Sequence, residues 1–159
     1  MSGTDIANIA RQYLGTPFIY GGRDPVHGLD CFGHLLLVAR QMDQCPLDFD
    51  LPPYTSPPDP TLFDQYLPQF MNEVLLWNMG PGDVVVLRAA VGGKRRREGA
   101  IGEPRHLGII GDYQPAPGHL SLIYVNESAG LHRVTENRLD EETRGRIYKV
   151  FRFRNRTGE

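Results

Sequence analysis

The N-terminal part of the chain carries apolar residues at helical spacing. A first helix is predicted from four of them that lie three or four positions apart: Ile6, Ile9, Ala10 and Tyr13. Thr4 or Asp5 is expected to cap its start. A second helix is predicted from Asp30, its N-cap, to about Met42. Its centre, Leu35 to Ala39, is apolar on nearly all sides, which is typical of a helix buried in the middle of a domain.

Short apolar runs, separated by turn residues, follow the second helix. A proline-rich surface loop is predicted over residues 46–60 and a short helix over residues 61–70. Strands are predicted over residues 84–87, 106–110, 120–126, 133–136 and 147–153. A polar connector, Asp140 to Arg144, lies between the last two strands. Helices followed by four or five antiparallel strands predict an α+β fold.

The composition of the chain limits the classes of protein to which it can belong but does not by itself indicate a function. We expect residues 1–159, which are 40% hydrophobic, to form a single domain whose core needs no disulfide or metal. The formal net charge of −2 does not indicate a nucleic-acid partner, and no apolar run approaches the ~20 residues of a membrane span. Met1 to Asp5 lacks the basic and apolar regions of a signal peptide. We therefore expect synthesis in the cytoplasm, with any export by a route that the sequence does not show.

The two cysteines, Cys31 and Cys45, are expected to be free. A helix from residue 31 to about 43 would separate them by roughly 20 Å at 1.5 Å per residue, whereas a disulfide needs Cα atoms within about 7 Å. Two cysteines without a CxxC spacing are also too few for a structural zinc site. Cys31 stands at the start of the second helix, where the helix dipole and unpaired N–H groups favour a thiolate. We therefore expect Cys31 to be a nucleophile with a lowered pKa.

A thiol nucleophile needs a base, and His106 is the histidine best placed to be one. The other four histidines lie on the nucleophile helix, in loops or in turns. If the following hairpin is centred near residue 116, opposed positions sum to about 232 and His106 faces Asn126. The Asn126 amide oxygen would then orient the imidazole, as in a Cys-His-Asn triad. A one-residue slip would instead bring Glu127 or Val125 forward.

Four blocks of sequence occur in the order of a known family. They are Leu14-Gly-Thr-Pro-Phe-Ile-Tyr-Gly-Gly22, Gly28-Leu-Asp-Cys-Phe-Gly33, Pro81-Gly-Asp83 and Arg105-His-Leu-Gly-Ile109. Together they resemble the NlpC family of papain-like cell-wall peptidases. The segment Leu51-Pro-Pro-Tyr54, together with Val134 to Asp140 and the aromatic-rich strand Tyr148 to Phe153, resembles the phage-tail and gene-transfer-agent branch of that family. The resemblance implies a papain-like fold in which the nucleophile helix packs on a central antiparallel sheet.

The same resemblance implies a set of site residues. Cys31 would be the nucleophile and His106 the base. The third polar position would fall on Asn126 or Tyr124, of which we prefer Asn126 because it lies opposite His106 in the assumed register. No cofactor and no metal is implied.

Three positions beside the cysteine would contact substrate. Tyr20 matches a tyrosine that borders the family's active site, and Asp30 matches an aspartate that helps to hold the substrate's amine. Phe32 stands where the family commonly has serine, so we expect altered substrate contacts there.

The function that this resemblance implies is hydrolysis of amide bonds in peptidoglycan stem peptides, at a bond between D-Glu and the diamino acid. A phage tail or related particle would carry the enzyme to the cell wall, with tail-tip proteins as partners. One alternative is a structural tail-tip subunit with little hydrolytic activity. Another is an amidase or acyltransferase of the same fold. The basic run Lys94 to Arg97 is interpreted as part of a solvated loop, with a contact to anionic wall polymer or a neighbouring subunit as the alternative.

Overall fold

A computed structural model describes residues 1–54, 58–90 and 102–154 of the chain. The described helices are α1 (Gly3–Arg11), α2 (Cys31–Gln41), α3 (Thr61–Phe70) and α4 (Glu141–Gly145), with a 3-10 turn at Leu76–Asn78. The described strands are β1 (Arg23–Asp24), β2 (Gly28–Leu29), β3 (Met71–Val74), β4 (Val84–Arg88), β5 (Pro104–Asp112), β6 (Leu120–Asn126), β7 (Arg133–Arg138) and β8 (Ile147–Phe153). The basic run at positions 94–97 lies outside the described residues.

The main sheet has six antiparallel strands in the order β3-β8-β4-β5-β6-β7. Together with the N-terminal helices it confirms the predicted α+β class. The sequence had indicated only four or five strands, because β3 was not recognised. Three of the four residues of β3 are at least partly exposed, and its pairing with β8 is what makes it a strand. Tertiary pairing can override a weak local pattern.

Two predicted boundaries are corrected by local hydrogen bonds. The N-cap of α1 is Ser2, not Thr4 or Asp5. Ser2 Oγ accepts from the Asp5 amide at 3.1 Å, and Asp5 Oδ2 accepts from the Ser2 amide at 2.9 Å, which makes a capping box. The connector before β8 is helical, because Asp140 accepts a hydrogen bond from the Thr143 amide at 2.8 Å and caps α4.

The core lies between the helices and one face of the sheet. Val84 and Val86 of β4 join the cluster that contains Phe32, Leu36 and Val38 of α2. The alternate residues of the same strand belong to a second cluster with Ile110 and Leu122. Because successive side chains of a strand point to opposite faces, both faces of the sheet are covered at β4.

His34 belongs to the contact between α1 and α2. The side chain is 1% exposed, and Nε2 lies 3.1 Å from the Ala10 carbonyl oxygen, so this nitrogen carries the proton and donates it. The ring meets Tyr13 edge to face, with the centroids 5.7 Å apart. Burial lowers the pKa of His34 from 6.5 to about 4. This histidine is therefore a neutral core residue and not a candidate base.

The longest helix in the described part of the chain, α2, has 11 residues. A helix that crosses a bilayer needs about 20 apolar residues. Within residues 1–54, 58–90 and 102–154, none is long and apolar enough to do so.

Candidate active site

The start of α2 is pressed against the loop that precedes it. A Cβ atom at Gly33 would lie 2.0 Å from the carbonyl oxygen of Gly22. Only glycine permits this approach, since a backbone oxygen cannot move aside as a side chain can. The loop over residues 18–30 and the first turn of α2 therefore form one tightly packed unit that ends at Cys31.

Asp30 is the centre of that unit. Its side chain is 2% exposed overall and caps α2 by accepting from the Gly33 amide at 2.8 Å. It also accepts from the Gly21 amide at 2.9 Å, from Arg23 Nη1 at 2.8 Å and from the Tyr54 hydroxyl. The sequence predicted that Asp30 holds a substrate amine. In this conformation both of its oxygens are occupied by donors of the protein itself.

Cys31 follows as the first residue of α2, with 5% of its surface exposed and its thiol free. Burial raises the pKa of this thiol, and the carboxylates of Asp30 and Glu127 raise it further. Backbone hydrogen bonds from Leu107 and Phe32 act in the opposite direction, and burial outweighs them. The thiol is therefore protonated in this conformation, whereas the sequence had led us to expect a lowered pKa.

His106 lies on β5, beyond the end of the paired ladder that joins this strand to β6. The paired residues of the two strands sum to 232, as predicted, from Asp112 opposite Leu120 to Ile109 opposite Ile123. The ladder stops there, three residues before His106. Burial lowers the pKa of His106, and the nearby carboxylate of Glu127 opposes this shift. The imidazole is therefore neutral at pH 7 and able to accept a proton.

The carboxylate beside this imidazole belongs to Glu127, whose Oε2 lies 3.7 Å from Nδ1 of His106. The predicted partner, Asn126, directs its carboxamide elsewhere. Its Oδ1 accepts from the Ser128 amide at 2.9 Å, and its Nδ2 donates to the Tyr124 hydroxyl at 3.0 Å. An asparagine that bonds the backbone two residues ahead favours a turn, and this turn follows the end of β6 directly. The role predicted for Asn126 therefore lacks the contact on which it rested.

Tyr124, the other residue considered for the third position, contacts His106 through its ring. The two rings meet edge to face with centroids 5.6 Å apart. Its hydroxyl accepts the bond from Asn126 described above. Tyr124 therefore packs against the imidazole and connects it to Asn126.

Cys31 and His106 line one narrow cleft of about 10 Å³. Its other lining residues are Phe18, Tyr20, Asp30, Pro58, Arg105 and Glu127. Tyr20, predicted to border the site, is 44% exposed and packs edge to face on Phe18, 4.5 Å between centroids. Sequence reasoning missed Phe18, Pro58 and Arg105, although Arg105 adjoins His106 in the chain and Phe18 is part of the first block. In the described residues no cluster of three or more His, Cys, Asp or Glu side chains is suited to hold a metal ion.

Phe32 does not reach this cleft. It is 1% exposed, stacks on Phe63 of α3 at 5.0 Å between centroids and meets the Tyr54 ring at 5.9 Å. Consecutive residues of a helix point about 100° apart, so the residue after Cys31 is turned from the cleft towards α3. The predicted direct contact of Phe32 with substrate is thus replaced by a core contact, and any influence on substrate passes through α3 or Tyr54.

Comparison with known proteins gives matches at the level of structure. No protein-family model and no curated protein sequence matches the chain. The NlpC/p60 domain of the peptidoglycan hydrolase SagA superposes with a TM-score of 0.55 and 20% identity, covering 94% of this chain and 97% of that one. A protein similar to lipoprotein, of the NLP/P60 family, from Staphylococcus aureus gives a TM-score of 0.57 and 17% identity. NlpC1 from Trichomonas vaginalis gives 0.57 and 16%.

These similarities show the fold. The last two matches cover 95% of this chain but only 41% and 44% of the longer proteins. This chain therefore has an α+β fold like that of NlpC/P60 domains, with N-terminal helices packed on a six-stranded antiparallel sheet. At 20% identity or less, the activity has to be argued from the cleft.

Proposed function

We propose that this protein is a cysteine peptidase that hydrolyses amide bonds in peptidoglycan stem peptides. The observation that carries the proposal is that Cys31, at the N-terminus of α2, and His106 line one cleft within an NlpC/P60-like fold. A thiol at a helix start beside an imidazole is an arrangement suited to acyl transfer.

The two groups are neutral before substrate binds, because burial raises the pKa of Cys31 and lowers that of His106. Proton transfer therefore accompanies attack. The Sγ–C bond forms as the thiol proton passes to His106, and the C–N bond breaks as His106 gives that proton to the leaving amine. Water then attacks the thioester, its proton passes through His106, and the carboxylic acid and free thiol are regenerated.

Glu127 is proposed to support the charged form of the imidazole. Its Oε2 is on the Nδ1 side of His106, at 3.7 Å, close enough for its charge to act on the imidazole. A carboxylate in that position stabilises the imidazolium that forms during attack. The ring orientation is held by the hydrogen bond that the imidazole donates to the Val125 backbone, which also favours the charged form. This assigns to Glu127 the third polar position that the sequence interpretation gave to Asn126.

The oxyanion is proposed to be stabilised by the backbone N–H of Cys31. The first amides of a helix have no acceptor within the helix. Asp30 engages that of Gly33 through its side chain and that of His34 through its carbonyl oxygen. The amide of Cys31 lies nearest to its own thiol and so to the carbonyl under attack. Donors of this kind typically contribute about 3 kcal/mol to the barrier reduction.

The bond that is cleaved and the biological setting are proposed from the sequence resemblance. We propose cleavage between D-Glu and the diamino acid, in a phage tail or related particle that opens the cell wall locally. The support is the similarity of the segments Leu51–Tyr54, Val134–Asp140 and Tyr148–Phe153 to that branch of the family. Tail-tip proteins would then be partners, and a virion-associated enzyme made in the cytoplasm would act on the wall.

The decisive test is muropeptide release measured by mass spectrometry. We expect Cys31→Ala to abolish release from purified peptidoglycan, because no other group replaces the attacking sulfur. Cys45→Ala is the matched control, since Cys45 is also a buried free thiol but lines a separate apolar cavity with Phe49 and Tyr66. Equal release by the wild type and Cys31→Ala would refute the peptidase proposal.

A structural subunit of a tail tip remains the second candidate, and one observation favours it. A cleft of about 10 Å³ does not hold a peptide backbone, so a peptidase must widen it on binding substrate. Thiol labelling separates the two functions. Labelling of Cys31 at neutral pH by a stem peptide that carries an electrophile in place of the scissile carbonyl supports the peptidase, whereas a Cys31 that such a peptide leaves unlabelled supports the structural subunit.

A further inference from the structure

A second and larger cavity, of about 290 Å³, adjoins the cleft at His106. Arg105, His106 and Glu127 line both spaces. The larger cavity, named here the Arg146 pocket, is completed by residues that include Tyr124, Thr143 and Arg146. It is large enough for one amino-acid side chain or for the terminal residues of a peptide. The His106 imidazole lies at the edge that the pocket shares with the cleft.

Arg146 presents an unsatisfied donor in this pocket. Its Nε is buried and has no hydrogen-bond partner among the described residues. The Glu142 Oε1 atom lies 4.0 Å from it, beyond hydrogen-bond distance, and Nη1 makes only a long bond of 3.4 Å to the Arg88 carbonyl. A buried guanidinium N–H without an acceptor is costly, and an added carboxylate would relieve that cost.

The charges around the pocket are net positive. Arg88, Arg105 and Arg146 line it, against two carboxylates: that of Glu127, which faces His106, and that of Glu142, which lies outside the lining at 4.0 Å from Arg146 Nε. The guanidinium of Arg88 is engaged by the Gly102 carbonyl and the Tyr148 ring. The charge of Arg146 lowers the pKa of His106, which places the two groups within electrostatic reach of each other. The pocket is therefore suited to an anion.

The chemistry of the cleft indicates which part of a substrate would enter. His106 must protonate the leaving amine, so the residue that carries this amine lies on the His106 side of the scissile bond. The acyl side lies towards Cys31. A pocket that begins at His106 is thus positioned for the leaving-group residue.

We propose that the Arg146 pocket binds a carboxylate of the leaving-group residue and so selects stem peptides in which this residue is anionic. This inference rests on the proposed peptidase function. The carboxylate could be the side-chain carboxylate of a diamino acid or the carboxylate at the end of the peptide, and the pocket recognises the chemistry that the two share.

The test uses three synthetic peptides with the same acyl half. In the first, the leaving diamino acid has a side-chain carboxylate and an amidated C-terminus. The second has only a free C-terminal carboxylate, and the third has neither. We expect wild-type kcat/KM to be at least about tenfold higher for one or both of the anionic peptides than for the third, mainly through KM. The anionic peptide with the higher kcat/KM identifies which carboxylate the pocket binds.

Substitutions of Arg146 test whether the preference for anionic peptides arises in the Arg146 pocket. Arg146→Gln should remove the preference, lowering kcat/KM about 10- to 100-fold for the preferred anionic peptide and little for the neutral one. Arg146→Lys should restore part of it. Arg144→Gln is the matched control, because it removes the same charge two residues away from an exposed position of α4. Equal cleavage of all three peptides, or an equal loss on all three in Arg146→Gln, would overturn the inference.

A binding measurement separates this inference from the proposed function. The leaving-group product alone is titrated calorimetrically into Cys31→Ala protein, with and without Arg146→Gln. Binding that requires both the carboxylate and Arg146 supports the pocket even where muropeptide release fails. If muropeptide release depends on Cys31 but the product does not bind in this way, the peptidase function is supported and the proposed role of the Arg146 pocket is refuted.

Discussion

Replacement of His34 by glutamine tests how burial controls the charge of a histidine in α2, the helix that begins at Cys31. His34 is neutral and donates from Nε2 to the Ala10 carbonyl at 3.1 Å. Glutamine places an amide nitrogen near the same position and cannot become charged. His34→Gln therefore keeps a donor between α1 and α2 while it removes the titration.

The magnitude follows from the pKa of His34, which burial lowers from 6.5 to about 4. Between these values the unfolded chain binds a proton at His34 that the folded protein does not. The contribution of the neutral, buried His34 to the free energy of unfolding is therefore fully present above pH 6.5 and falls as the pH drops towards 4. At pH 5 the ratio of the two binding polynomials is about 30, which corresponds to about 2 kcal/mol. The complete loss below pH 4 is about 3 kcal/mol.

The assay is urea unfolding at pH 7.5 and pH 5.0, followed by far-UV circular dichroism. Between the two conditions the wild type should lose about 2 kcal/mol more than His34→Gln, whatever their difference at pH 7.5. Other titrating groups, including His106, are common to both proteins and cancel in the difference. His27→Gln, at a position whose side chain is 81% exposed, is the matched control and should follow the wild type. Losses equal to within about 0.5 kcal/mol would refute the reasoning.

Two further substitutions address the site. If His106 acts as the proposed base, Glu127→Gln should lower kcat about tenfold or more, with a smaller change in KM. Asn126→Ala leaves the His106 imidazole its neighbouring carboxylate and should lower kcat less. The reverse order in steady-state kinetics would restore the assignment of Asn126 as the third polar residue. Gly33→Ala should destabilise the fold by about 3 kcal/mol in urea unfolding, because its Cβ would lie 2.0 Å from the Gly22 carbonyl oxygen. Gly145→Ala, where nothing lies within 4 Å, is the control and should be close to neutral; equal effects would contradict the packing argument.

Signals that lie close together along the chain predicted the elements well. The N-cap Asp30 and the apolar run after it located α2 to within one residue of its end, and α3, β6 and β8 begin and end where their patterns predicted. The hairpin register of β5 and β6 was also predicted, with opposed positions that sum to 232. These features depend on capping, periodicity and turn length, which are local properties.

The polar residue beside the His106 imidazole could not be predicted from such local signals. The register places Asn126 opposite His106, but the paired ladder ends at Ile109 and Ile123, so the register no longer fixes which side chain faces His106. Glu127 then lies beside the imidazole, and Asn126 closes a turn through the Ser128 amide. Which side chain lies beside the imidazole beyond the end of a ladder depends on tertiary packing, which local patterns do not contain.

By itself the sequence determined an α+β chain with a cysteine at the start of a buried helix, a histidine on a strand and no disulfide between Cys31 and Cys45. Only the tertiary structure decided the charge state of Cys31, the position of Phe32 against Phe63, and the choice of Glu127 as the neighbour of the imidazole. The physical reason is that capping and periodicity act over a few residues. Burial, by contrast, and the distance between charges depend on segments that are remote in the chain.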